Sequence, residues 1–161
     1  MTLHRKYHSF KQLPAAIRWR IPVTWLLLGV SRFLVLLLPF RYVAMMLGQR
    51  TDVPVVPLVP AQYIAQLRQL KHLIATTSKY CPWRANCFAQ AITAKLWLSW
   101  WGLPYCVFFG VARDPVKALK AHAWVMAGPV AVSGGNGFSQ FTVVASYVSK
   151  AWLSARSQGA V

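Results

Sequence analysis

Apolar residues fall along the chain in blocks, and each block has its own period. From Ile21 to Phe40 the sequence runs IPVTWLLLGVSRFLVLLLPF, with few polar positions. Residues 22–48 therefore read as helical, interrupted at Gly29 or Pro39. The next segment, TDVPVVPLVP from Thr51 to Pro60, sets three prolines among Val and Leu. Proline lacks an N–H and biases the residue before it away from helical angles, so this segment reads as an extended linker. It marks a boundary between a basic, apolar region, 1–60, and a second region, 61–161. In AQYIAQLRQLKHLIATTS, residues 61–78, Tyr63, Ile64, Leu67, Leu70, Leu73 and Ile74 recur at 3.6-type spacing, the signature of an amphipathic helix. His72 lies among Lys and Arg on that helix and reads as a solvated histidine.

Pro82 stops the preceding helix. Asn86 can cap a new one running from about Cys87 to Trp101, with Gly102 as its natural stop. Beyond it the period changes to that of strands. PYCVFFGVA (104–112) reads as a buried strand and AHAWVMA (121–127) as a second. Gly128-Pro129 turns the chain into PVAVS (129–133), SGGNG (133–137) is a further turn, and QFTVVASYV (140–148) is a last strand. No internal repeat is present. The order is helices first, then one helix feeding an antiparallel set of strands, an α+β class.

Composition narrows the possible chemistry. The chain has 161 residues, 57% of them hydrophobic, which is ample for one domain core and unlike a disordered chain. Lys and Arg number 18 against 2 acidic residues, Asp52 and Asp114, for a net charge of +16. With so few carboxylates there is no EF-hand, no carboxylate-held two-metal centre and no paired-carboxylate glycosidase. The cations must face water or something anionic. Basic residues flanking Leu, Phe and Trp fit a membrane interface or a hydrophobic partner better than a nucleic-acid groove. The Ile21–Phe40 run approaches the ~20 residues needed to span a bilayer. Arg32 near its middle opposes that by about 2.5–3.5 kcal/mol. No Ala-x-Ala-like site follows the run, which argues against a signal peptide. A packed helix, an interfacial helix and a span all remain open.

Three cysteines, Cys81, Cys87 and Cys106, form no disulfide framework, and neither CxxC nor zinc-finger spacing occurs. This pattern fits a reducing compartment, hence the cytoplasm. Cys87 falls at a helix start, where unpaired N–H groups and the helix dipole favour a thiolate and offer a place for an oxyanion. His122 follows at the start of a strand, between Ala121 and Ala123. A fold that joins them makes the thiolate–imidazolium pair of a cysteine hydrolase. No carboxylate follows His122 to orient its ring. The amide of Asn136 in the SGGNG turn is the obvious substitute, with Gln140 a weaker one. Cys81, before a proline and not at a helix start, reads as an inert or weakly exposed thiol, and Cys106, inside an apolar strand, as a small buried hydrophobe.

At these residues the chain resembles a known family. The run WRANCFAQAITAKLWLSWWGLPYCVFFGVARD, the later KAHAWVMAGPVAVSGGNGFSQFTVV and the upstream LLLPFRYVAMMLGQR resemble the transglutaminase-like leader peptidases of lasso-peptide biosynthesis. The matching elements are Pro82, Trp83, Arg84 and Cys87, then Gly102, then Gly110-Val111 and the AHAWV of Ala121 to Val125. The resemblance covers roughly residues 30–148. It implies a papain/transglutaminase-like fold with a catalytic helix on a small antiparallel sheet. It also implies a cysteine protease that removes the leader from a ribosomally made precursor, with Cys87 as nucleophile and His122 as general base and acid. The family commonly has an Asp as third residue after the HAW motif, and this chain has none; Asn136 takes that place here, with Ser133 as fallback. No metal or organic cofactor is implied.

Some members carry a small winged-helix module that recognises the leader. Residues 1–60 show no alternating strands to supply one. The resemblance therefore implies a separate winged-helix recognition protein and, downstream, an ATP-dependent, asparagine-synthetase-like cyclase. The basic N-terminal half would then dock the recognition protein, the cyclase or the inner face of the membrane, and nucleic acid is not an expected partner. The rival readings are a non-catalytic peptide- or cyclase-binding scaffold and a basic membrane-surface protein.

Overall fold

The structure, a computed structural model, describes residues 19–114, 118–135 and 137–157. Helix α1 spans Arg20–Leu37 and α2 Phe40–Leu47, so the long apolar run breaks at Pro39 and passes through Gly29 intact. Gly29 tolerates the helix interior because the Trp83 ring lies against it: a Cβ there would sit 3.0 Å from the indole. A short strand, β1 (Gln49–Thr51), leads into the Pro-rich connection. A 3-10 turn at Ala61–Tyr63 opens α3 (Ile64–Lys79), and α4 runs Cys87–Trp100. Then come β2 (Cys106–Asp114), β3 (Ala118–Ala127), β4 (Val130–Ser133), β5 (Thr142–Val148) and α5 (Lys150–Ser157).

The strands form one antiparallel sheet in the order β1-β5-β2-β3-β4. Strand parity sorts the side chains. Val107, Ala123, Val125 and Ala127 face the main core, together with Leu67, Leu70 and Ile74 of α3 and Ala91, Ala94 and Trp97 of α4. Cys106, Phe108, Trp124 and Val148 form a smaller cluster, against which Trp152 and Leu153 of α5 pack. The architecture is mixed α+β, as the change of period along the chain predicts.

The Thr51–Pro60 segment is extended, but it does not separate two cores. Val43 and Leu47 of α2 are buried with the residues of α3, α4 and the sheet, and β1 pairs with β5 from Gln49↔Val148 to Thr51↔Ser146. The strand β1 escapes the sequence reading because three residues are too few to show an alternation; its pairing comes entirely from the β5 edge.

Helix α1 packs on α4 through polar groups. Trp97 Nε1 donates to Thr24 Oγ1 at 3.1 Å. Thr93 Oγ1 spends its proton on the Ala89 carbonyl at 2.9 Å, so Ser31 Oγ is the donor in its 3.1 Å bond with Thr93. Trp97 is wholly buried and stacks on Trp100 at 5.2 Å. Replacing it with alanine removes a large side chain from the core and leaves Thr24 without a partner. Trp97→Ala should therefore lower the unfolding free energy by about 3–5 kcal/mol in a denaturant titration. An exposed Trp100→Ala should change it far less.

Candidate active site

Asn86 sets the start of α4. Its backbone is extended (φ −66°, ψ 171°) and its side chain accepts from the Ala89 N–H at 3.0 Å, the N-cap expected from the sequence. The preceding turn is held by Gln90, whose Nε2 donates to the Ala85 carbonyl at 2.8 Å. Cys87 is thus the first helical residue. Half-buried, it lies where the helix leaves N–H groups without helical carbonyl partners.

His122 sits on β3 opposite Gly110 of β2. Its ring is clamped: the Phe141 ring lies at 4.9 Å and the Trp124 ring stacks at 5.9 Å. Its Nε2 is 2.7 Å from the carbonyl oxygen of Gly134. A carbonyl can only accept, so Nε2 carries the proton and, in the neutral ring, Nδ1 keeps its lone pair for use as a base. Gly134 is the residue this contact needs. Its φ is +65°, and a Cβ would fall 2.4 Å from the Ala123 carbonyl oxygen.

Cys87 and His122 line one cavity of about 260 Å³, shared with Lys71, Gln90, Ser133 and Gly135. No hydrogen bond joins the Cys87 thiol to the ring. In enzymes such contacts are often long before substrate binds and tighten afterwards. Lys71 of α3 is half-buried, and its Nζ is 3.8 Å from where a Cβ on Gly135 would lie, so a cation faces the cavity. Ser133 is buried, and its Oγ has no partner among the described residues. Asn136 lies outside the described residues. Gln140 is exposed in the 3-10 turn Phe138–Gln140, and it is not among the residues lining the cavity.

Asp52 is exposed and lines a different pocket, beside Arg50 and Val144. Among the described residues no three His, Cys, Asp or Glu side chains are grouped to hold a metal. The sequence reading missed Gly134 because a backbone carbonyl leaves no trace in residue identity. It missed Lys71 because a lysine beside Leu70 and Ile74 on an amphipathic helix looks like any solvated cation.

A family profile described as the transglutaminase-like superfamily matches residues 34–146. The chain belongs to the transglutaminase-like superfamily. The match runs across the Pro-rich connection and takes in both Cys87 and His122. The fold is accordingly a transglutaminase-like domain, in a superfamily that includes cysteine peptidases. No curated protein and no solved structure matches the chain significantly.

The other two thiols of this transglutaminase-like domain are muted. Burial pushes Cys106 up to about 12, and burial also raises Cys81, whose Sγ donates to the Thr77 carbonyl at 3.4 Å. A thiol reacts as its thiolate, so Cys106 should stay unmodified until the solution approaches pH 12 or the chain unfolds. Iodoacetamide at neutral pH, followed by peptide mapping, should modify Cys87 first. A second expectation concerns the ring. Gly134→Ala forces a left-handed alanine against Ala123, which should lower stability by at least about 1 kcal/mol and shift the ring's tautomer signals in nitrogen NMR.

Proposed function

We propose that the chain is a cysteine peptidase that removes the leader from a ribosomally made lasso-peptide precursor. The observation that carries this reading is the meeting of Cys87, first residue of a capped helix, and His122, oriented through its far nitrogen, in one cavity. Membership of a superfamily that includes cysteine peptidases supports the chemistry. The PWRxxC and AHAWV resemblance supports the substrate class.

The mechanism uses the chain's own groups. His122 Nδ1 takes the Cys87 thiol proton as Sγ attacks the carbonyl carbon at the leader–core junction. The C–S bond forms, and the carbonyl oxygen becomes an oxyanion facing the N–H groups at the start of α4. The oxyanion collapses and the C–N bond breaks. His122 returns its proton to the departing amine, which frees the core peptide. Water then attacks the thioester with His122 as base, releasing the leader carboxylate and restoring the thiol. Throughout, the Gly134 carbonyl holds Nε2–H and stabilises the imidazolium, the orienting role usually given to a side chain. Lys71 lines the same cavity as Cys87, and that lining contains no carboxylate.

In this reading the chain works in the cytoplasm. A separate winged-helix protein presents the leader, and a cyclase of the asparagine-synthetase kind receives the core. The test is to incubate precursor with the purified chain, with and without the recognition protein, and to follow cleavage by mass spectrometry. Cys87→Ala and His122→Ala should each abolish cleavage in folded protein. Cys81→Ala and Cys106→Ala should cleave at near-normal rates; loss of turnover in Cys81→Ala would move the nucleophile there. A chain that binds precursor but never cleaves it would be a scaffold.

A further inference from the structure

Helix α1 is inside out. The residues it buries are Thr24, Leu28 and Ser31, two of them polar. Leu26, Val30, Phe33, Leu36 and Leu37 point outward at helical spacing, with Phe33 64% and Leu37 66% exposed. A helix of a water-soluble domain has the opposite polarity. The face continues onto α2 through Phe40 and Met45, the latter 71% exposed. Between α1 and Trp83 lies a groove of about 460 Å³ whose walls expose only carbon. The groove offers no polar atom to an occupant.

Charge lies at its border. Leu34 lines both the groove and a small gap beside Lys95 and Met46, and Met46 in turn lines a cavity of about 650 Å³. That cavity holds Lys95 and Lys150 with no carboxylate among its lining residues. Burial pushes Lys95 below the ordinary lysine range, and Lys150 adds repulsion in the same direction. Two cations held together without an anion, at the margin of an apolar face, match the layered chemistry of a lipid surface.

We propose that the outer face of α1 and α2 lies on an anionic lipid surface, with Lys95 and Lys150 facing the headgroup phosphates. Helix α1, although 18 residues long and apolar enough to cross a bilayer, does not span it. Its inner face is bonded to α4 through Thr24 and Ser31, so insertion would carry α4 into hydrocarbon. It lies in the plane of the interface. The surface is distinct from the Cys87 cavity, and its test does not read peptide cleavage.

The test is sedimentation of the full chain with phosphatidylcholine vesicles, with and without phosphatidylglycerol, at low and high salt. The chain should bind the anionic vesicles, less so at high salt. Phe33→Ser with Leu37→Ser should weaken binding by at least about tenfold while circular dichroism and thermal melting stay as in the parent. Lys95→Gln with Lys150→Gln should weaken binding to anionic vesicles by about tenfold and hardly affect any residual binding to neutral ones. Failure of the folded chain to bind either vesicle overturns the proposal in favour of a protein partner. Binding that survives the Phe33/Leu37 pair assigns it to another surface and overturns it as well. So does light scattering that shows, without vesicles, a dimer abolished by the same pair, because the face would then belong to a second copy.

Discussion

Helix α4 is enclosed by α1, by α3 and by the β3–β4 part of the sheet, and the geometry of the molecule follows from that enclosure. Ala89, Ala91, Ala94, Trp97 and Leu98 are buried on several sides of it at once. Small residues let the neighbouring elements approach closely, and Trp97 fills the space at the far end. A helix held on so many sides cannot slide or rotate without opening voids, and close-packed interiors resist this. Its first residue, Cys87, is therefore held in place by the whole core as well as by the Asn86 cap.

The ring opposite is held by different means. No carboxylate lines the cavity, and the aromatic rings of Phe141 and Trp124 together with one backbone carbonyl define the position of His122. A carbonyl dipole stabilises an imidazolium less than a full negative charge does. Lys71 lines the same cavity.

Much of this arrangement was legible in the amino-acid order. Asn86 before an apolar helix, Gly102 after it and the change to strand-like runs beyond Leu103 rest on local rules, and the structure follows them to within a few residues. The start of β3 moved from Ala121 back to Ala118 because pairing with β2, which reaches Arg113↔Leu119 and Asp114↔Ala118, extends a strand past its own apolar run. The orientation of α1 was not legible. An almost uniformly apolar helix has no periodic stripe to show which side faces inward; two hydroxyls and their partners on α4 decided it. Nor could spacing show that a loop carbonyl from Gly134 would meet a nitrogen of His122, since that contact depends on where β4 ends.

The seat of Trp83 on Gly29 joins two regions that the chain order keeps apart. Trp83 also meets the Trp25 ring at 4.6 Å, and only Arg84, Ala85 and Asn86 separate it from Cys87. The indole acts as a wedge between α1 and the turn that leads into α4. The turn that leads into α4 is thereby packed against α1, so the first helix helps to place the residue from which the sulfur projects.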